Sequence, residues 1–160
     1  MSLPAADPLR TLPLADAEAT AALGAALAAQ RPVRAVLHLH GDLGAGKSTL
    51  ARALLRALGV KGPIRSPTYT LIERYPVPGG EAAHLDLYRL AEVGELDFLA
   101  LDELQAAAGL WLVEWPERGA GQLPAPDLAL HLRIDGKGRS VVAVPGSPAG
   151  AAWWAAVAPT

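Results

Sequence analysis

The chain has 160 residues, of which 51% are hydrophobic and 19% charged, and its net charge is −2. This length predicts a single domain, residues 1–160, with a real hydrophobic core. The slightly acidic balance argues against a large nucleic-acid-binding surface, because proteins that neutralise many phosphates are usually basic. The chain has no cysteine, which excludes disulfides, thiolate zinc sites and cysteine nucleophiles.

Neither a signal peptide nor a membrane span is predicted. The first ten residues, "MSLPAADPLR", lack a basic start followed by an apolar run. Every longer apolar stretch is interrupted by a charge, a glycine or a proline well short of a membrane span. We therefore expect a cytoplasmic protein with no membrane contact.

The first part of the chain predicts two helices with a strand between them. Residues 15–30, "ADAEATAALGAALAAQ", are typical of a helix that Asp16 caps. Residues 33–40, "VRAVLHLH", predict a strand. A second helix is expected in "KSTLARALLRALG", whose leucines recur at helical spacing and whose end is marked by Gly59.

The rest of the chain alternates predicted strands and short helices. "LIERY" and "EAAHLDLYRL" predict two strands joined by a turn at residues 77–80, and "EVGELDFLALDEL" predicts one or two short helices. Residues 109–115, "GLWLVEW", predict a strand buried inside a sheet. "LALHLRI" and "SVVAV" predict a hairpin at the sheet edge, and "AAWWAAVA" a closing helix in which Trp153 and Trp154 pack the tail onto the domain.

The segment "HGDLGAGKST" contains a complete phosphate-loop motif. Gly41 to Ser48 fit G-x-x-x-x-G-K-[ST], between a predicted strand and a predicted helix. Glycines let backbone N–H groups turn inward as an anion nest, and the following helix adds its own unpaired amides. Lysine reaches the β- and γ-phosphates, and the serine hydroxyl holds Mg²⁺. The expected nucleotide-binding residues are Asp42, Leu43, Gly44, Ala45, Gly46, Lys47, Ser48 and Thr49.

Residues outside the phosphate loop indicate which nucleotide is bound and whether its phosphate reacts. The chain has no asparagine, so the Asn-Lys-x-Asp loop of guanine-specific switches is absent and ATP is the expected nucleotide. Hydrolysis or transfer also needs a carboxylate near the magnesium. Glu114 ends the apolar run "LWLV", where a Walker-B acid lies, and Asp86 ends another predicted strand. The alternatives are a rim pair of Glu114 with Arg118 and a structural pair of Asp86 with Arg89.

Three further features have open interpretations. The pairs His38 and His40, and His84 and Asp86, each share a strand face, but we interpret these histidines as filling strand positions and not as metal ligands. Trp115 either covers the nucleotide or packs at the end of a strand. Residues 66–71, "SPTYTL", either sense the γ-phosphate or form a proline-defined turn, and we favour the sensor.

Taken together, these motifs resemble one family. "GDLGAGKST", "SPTYTLIERY", "HLDLYRL", "ELDFLALDE", "LVEWPERG" and "LPAPD" follow one another as in the bacterial TsaE (YjeE) ATPases, over roughly residues 12–145. The resemblance implies a P-loop fold with a mostly parallel central sheet flanked by antiparallel strands and helices. It also implies slow ATP hydrolysis to ADP in threonylcarbamoyladenosine modification of tRNA.

The same resemblance implies partners and residue roles. The partners would be a TsaD-like transferase, which the ATPase resets between turnovers, and a TsaB-like companion, with tRNA contacted only indirectly. Ser48 and Glu114 match the family's magnesium positions, and Ser48 replaces the more usual threonine without loss of the hydroxyl. Asp86 matches an acid required for activity, and Asp16 matches a segment near the adenine. Lys47, Asp86 and Glu114 are thus the expected catalytic residues.

Two other functions remain open at this point. A small-molecule kinase shares the size and the phosphate loop, but we find no arginine-rich lid. A nucleotide-dependent binding switch without chemistry would not need two well-placed carboxylates. No arginine finger is evident, although Arg65 and Arg74 are candidates, so weak intrinsic turnover is expected.

Overall fold

A computed structural model of the chain describes residues 11–65 and 67–158. Seven strands form a single sheet in the order β1-β7-β6-β2-β5-β4-β3. Their bounds are β1 Thr11–Leu14, β2 Ala35–His40, β3 Ile72–Val77, β4 Gly80–Asp86, β5 Ala108–Glu114, β6 Leu128–Asp135 and β7 Gly138–Pro145. The four central strands, β6-β2-β5-β4, are parallel to one another, whereas β1, β7 and β3 pair antiparallel. The predicted mostly parallel α/β sheet with antiparallel flanks is confirmed.

The sheet edge differs from the prediction. The hairpin β6–β7 forms as expected, but β1 pairs with β7 and covers its free edge. The sequence signal for β1 is weak, because "TLPL" is only 4 residues long and contains Pro13. Proline lacks an N–H group and is tolerated in an edge strand, which has one unpaired side.

Four α-helices and two 3₁₀ segments complete the fold. The helices are α1 Ala17–Ala29, α2 Lys47–Ala57, α3 Leu101–Ala107 and α4 Pro148–Val157, and the 3₁₀ segments are Val93–Leu99 and Pro116–Gly119. As predicted, Asp16 caps α1, since its Oδ1 accepts a hydrogen bond from Ala19 N at 2.8 Å. Within the described residues, no helix combines the length and the apolar character needed to cross a bilayer.

Hydrophobic residues form two clusters. The larger cluster includes α1, α2 and α4 and the strands that they cover, with Leu27, Leu37 and Leu54 fully buried. The smaller cluster joins β4 and β5 to the segment from Leu87 to Leu104. Burial on both faces explains why the central strands read as nearly continuous apolar runs.

Polar contacts at its N-terminus and in its middle hold the closing helix α4 in place. Trp153 is buried, and its Nε1 donates to the carbonyl of Leu27 at 3.0 Å, so the predicted packing of the tail is confirmed. Asp127 accepts from Ser147 Oγ at 2.7 Å through Oδ1 and from Val36 N at 2.8 Å through Oδ2. One carboxylate therefore connects the N-cap of α4 to the start of β2.

The backbone of α4 lies close to the backbone of Asp127, so a larger residue at the point of contact should destabilise the fold. A Cβ at Gly150 would lie 1.5 Å from the carbonyl oxygen of Asp127. We expect Gly150→Ala to lower the free energy of unfolding by about 1–3 kcal/mol, the usual cost of overpacking. Gly94→Ala is the matched control, because nothing lies within 4 Å of a Cβ there. Urea denaturation measures both, and equal midpoints would contradict the predicted clash.

Candidate functional site

The loop between β2 and α2 has the backbone geometry of an anion nest. Gly41, Gly44 and Gly46 have φ values of 147°, 82° and 108°, in the region that favours glycine. Gly41 has a second reason to be glycine, because a Cβ there would lie 2.6 Å from the carbonyl oxygen of Leu132 in β6. Both the turn and the neighbouring strand therefore require the motif's first glycine.

Lys47 is the first residue of α2, and its side chain lies along the loop. Its Nζ donates to the carbonyls of Gly41 and, at 3.0 Å, Asp42. The same atom lies 4.2 Å from the centroid of a Trp115 ring. Burial lowers the pKa of the Lys47 ammonium, although the nearby charge of Glu114 opposes this shift. The lysine is therefore a partly desolvated cation at the N-terminus of a helix.

Glu114 ends β5 and is almost completely buried, with 2% of its surface exposed. Its Oε1 accepts a hydrogen bond from Ser48 Oγ at 3.0 Å. Its Oε2 lies 2.6 Å from His84 Nε2. The alternative of a rim carboxylate paired with Arg118 is wrong, because Glu114 is buried and its two oxygens contact Ser48 and His84. The Arg118 guanidinium lies over the Trp115 ring, 5.6 Å from its centroid.

Asp86 lies beside Glu114 in the sheet. The two residues are register partners in the β4–β5 ladder, although β4 adjoins β5 and not β2. Asp86 is 5% exposed, and it accepts from Tyr88 N at 3.0 Å and from Thr68 Oγ1 at 3.3 Å. Thr68 belongs to "SPTYTL", so this loop reaches the acid, while Ser66 of the same motif lies outside the described residues. Two carboxylates and one loop threonine thus meet at one edge of the sheet.

These groups surround a cleft of about 680 Å³. Ten of the predicted site residues line it: Asp16, Leu43, Gly44, Gly46, Lys47, Ser48, Thr49, Asp86, Glu114 and Trp115. Two predicted side chains do not line it. The Ala45 side chain is buried, and Asp42 lines a separate depression that includes His40 and His131. The turning backbone of the loop directs these two side chains away from the cleft.

The cleft also contains cations that the sequence analysis did not place at the site. Lys137, Gly138 and Arg139, from the turn and start of β7, reach it, and Arg89 lines it as well. Arg139 Nε donates to the carbonyl of Gly44 at 2.9 Å. The basic run "KGR" in the hairpin was the only sequence signal for these residues, because their distance from the loop depends on strand order. The arginine-finger candidate Arg74 instead pairs with Glu81, at 2.6 Å.

Trp115 adopts an unusual backbone conformation at the cleft. Its φ of 57° is left-handed, which is uncommon for a bulky residue and often marks a functional site. Its side chain contacts Tyr88, with ring centroids 5.0 Å apart, and it also lines the cleft. Trp115 thus both packs against the smaller hydrophobic cluster and lines the cleft, and its role in covering the nucleotide stays a prediction.

The other three histidines, His38, His40 and His131, lie on the adjacent strands β2 and β6. The rings of His40 and His131 stack with centroids 4.3 Å apart, and His40 Nδ1 lies 3.1 Å from Glu117 Oε2. His38 is buried on the same strand face as His40. Within residues 11–65 and 67–158, no three histidine or acidic side chains are placed to hold a metal ion.

The fold and site together define a class of protein. A strand, a glycine loop and a helix beginning with Lys-Ser are followed by parallel strands whose acidic ends meet the loop, which is the arrangement of P-loop nucleoside triphosphatases. The family model described as "Threonylcarbamoyl adenosine biosynthesis protein TsaE" matches residues 14–141, and the chain belongs to this family. The resemblance of the sequence motifs to TsaE is therefore confirmed.

Individual relatives support the same assignment. The chain is 43% identical over 97 residues to a Haemophilus influenzae protein and 41% identical over 116 residues to a Synechocystis protein, both named "tRNA threonylcarbamoyladenosine biosynthesis protein TsaE". These matches cover 61% and 70% of this chain, and 61% and 73% of the relatives. The crystal structure of Bacillus subtilis YdiB superposes with a TM-score of 0.74 and 27% identity, over 92% of this chain and 93% of YdiB.

The burial of His38 predicts that the free energy of unfolding depends on pH. Burial, helped by the charge of His40, lowers the pKa of His38 from 6.5 to about 4. The unfolded chain therefore takes up a proton as the pH falls through 6.5, while the folded chain does not until about pH 4. The contribution of His38 to the free energy of unfolding is therefore fully present above pH 6.5. It decreases by up to ~1.4 kcal/mol per pH unit below it.

Urea unfolding of the wild type and His38→Gln between pH 7.5 and 4.5 measures this effect. We expect the wild type to lose stability more steeply than the variant as the pH falls from 6.5. His131→Gln is the control and should change the slope less, because burial lowers the pKa of His131 less than that of His38. Parallel pH profiles for the wild type and His38→Gln would show that His38 does not titrate in this way.

Proposed function

We propose that this chain binds ATP and ADP with Mg²⁺, hydrolyses ATP slowly and acts in threonylcarbamoyladenosine modification of tRNA. The observation that carries the proposal is the hydrogen bond between Ser48 and the buried Glu114 at the mouth of the glycine loop, 3.0 Å long. The names of the relatives support the pathway. The expected partners are a TsaD-like transferase and its TsaB-like companion, with tRNA contacted only through them.

The polyphosphate would lie against the glycine loop. Free amides at the start of α2 and the helix dipole favour an anion there. The Lys47 ammonium, now hydrogen-bonded to two loop carbonyls, would exchange them for phosphate oxygens. Asp16 and Thr20 line the same cleft at the start of α1 and would face the nucleoside.

The residues at the loop fit a magnesium ion by their chemistry. A serine hydroxyl and a carboxylate are hard oxygen donors, and Mg²⁺ in nucleotide sites takes one or two protein oxygens beside phosphate and water. Ser48 and Glu114 would hold the ion, which would neutralise charge on the β- and γ-phosphates. The buried carboxylate supplies the negative charge that such a site needs.

Asp86 would orient the attacking water, because its carboxylate lies beside Glu114 and faces the cleft. Thr68 hydrogen-bonds to Asp86 and would connect the state of the nucleotide to the loop that carries it. Among the arginines of the cleft, Arg139 is already bound to the carbonyl of Gly44. The guanidinium of Arg89, the other arginine of the cleft, lies over the Tyr69 ring, 4.5 Å from its centroid. Because both arginines contact other groups, we expect slow turnover by the chain alone.

Phosphate release from ATP with Mg²⁺ tests the proposal. We expect slow release by the chain alone and a changed rate with the two partner proteins. Lys47→Ala removes a charge-assisted contact of about 1.5–3 kcal/mol, so it should weaken ATP binding about 10- to 150-fold. Lys61→Ala, at an exposed lysine outside the cleft, is the control. ADP formation that requires an added acceptor and releases no free phosphate would favour a kinase, and tight binding with no release even with partners would favour a pure switch.

The carboxylate is tested separately by Glu114→Ala. This change should abolish Mg²⁺-dependent hydrolysis while part of the nucleotide affinity remains, because the loop amides and Lys47 are unchanged. Calorimetric titration with ADP and a phosphate-release assay measure the two properties on one sample. Glu103→Ala, at an exposed acid on α3, controls for loss of a negative charge. Normal turnover by Glu114→Ala would move the role of the acid to Asp86 alone.

A further inference from the structure

We propose that His84 is a positioning residue for Glu114. Its imidazole holds one carboxylate oxygen so that the other stays directed at Ser48 and at the cation that the proposed function places there. The inference rests on that proposed function and assigns a role to a residue outside the motif. His84 does not line the cleft, so any effect that it has on the cation must pass through Glu114.

The contact between His84 and Glu114 is short and shielded from water. His84 Nε2 lies 2.6 Å from Glu114 Oε2, and each side chain is 2% exposed. β4 and β5 are adjacent and parallel, so the strand pairing itself brings the two side chains together. Hydrogen bonds to ionised groups are stronger than neutral ones, and a dry environment strengthens them further.

The placement of the proton follows from the partners. In the proposed arrangement Glu114 is an ionised carboxylate, which only accepts, and the imidazole donates from Nε2. Nδ1 is also buried, and no group in the described residues hydrogen-bonds to it. Buried polar atoms usually have hydrogen-bond partners. A buried histidine that served packing alone would have two ring nitrogens without a partner, whereas His84 has one such nitrogen. Within residues 11–65 and 67–158, the one polar contact of this buried imidazole is thus with Glu114.

The two oxygens of the Glu114 carboxylate have different partners. Oε2 is bound to His84 in β4, and Oε1 accepts from Ser48 in α2. With Oε2 fixed, rotation of the carboxylate is restricted and Oε1 keeps its direction. Groups that orient a metal ligand in this way typically change metal affinity by 10- to 100-fold when they are removed.

Four variants separate positioning from packing. His84→Ala removes the donor. His84→Gln keeps an N–H about as far from the backbone as Nε2, whereas His84→Asn is equally polar but one bond shorter. His38→Gln is the matched control, since it replaces a buried histidine on β2, which β5 separates from β4, outside the site.

The readout is the Mg²⁺ concentration that half-saturates the complex of each protein with a non-hydrolysable ATP analogue, measured by calorimetry. Analogue binding in EDTA and the melting temperature without ligand are recorded alongside. We expect half-saturation to rise at least 10-fold in His84→Ala and His84→Asn. His84→Gln should stay within about threefold of the wild type, as should His38→Gln. Binding of the analogue in EDTA should change little in all four.

Unchanged Mg²⁺ dependence in folded His84→Ala, with only a lower melting temperature, would overturn the inference and leave His84 a structural residue. If His84→Ala does not fold, equal Mg²⁺ dependence of His84→Gln and His84→Asn would overturn it instead. Failure of the proposed function is seen separately and first: wild-type protein would then bind the analogue without any effect of Mg²⁺, and the inference would fall with it.

Discussion

The burial of the Glu114 carboxylate is the central constraint on this structure. Glu114 is 2% exposed, and burying a carboxylate costs several kcal/mol unless hydrogen bonds replace its hydration. Ser48 supplies one bond from the first turn of α2, and His84 supplies the other from β4. Three elements that are distant in sequence are therefore held together by one side chain. The hydrogen bond from Ser48 adds a polar contact to a helix that buried leucines already hold against the sheet.

The position of this carboxylate follows from parallel strands. β2, β4 and β5 all end at the same edge, so the glycine loop, Asp86 and Glu114 meet there although they are far apart in the chain. The antiparallel hairpin β6–β7 adds Lys137 and Arg139 from a different direction. Although the chain as a whole carries a net charge of −2, the cleft contains groups of both signs. This mixture suits a ligand that combines an anionic polyphosphate with a cation.

Local features of the fold were predictable, because each depends on a few neighbouring residues. Asp16 caps α1 since its side chain is within reach of an amide three residues away. Gly59 follows α2 with a φ of 95°, as an end-marking glycine should. The edge strand β1 was missed because its four residues carry no period of their own, and only the exposed side of β7 makes them a strand.

By itself, the sequence determined the glycine loop and the family, and it predicted the two acids that line the cleft, because glycine, lysine, serine and carboxylate patterns express short-range chemistry. Only the tertiary structure decided that Glu114 is buried and bound to His84 and not to Arg118. It likewise decided that Asp42 and Ala45 turn their side chains away from the cleft, and that a distant hairpin brings Arg139 to Gly44. The physical reason is the same in each case. Burial and contact between distant residues are set by strand order and register, which arise from the packing of the whole sheet.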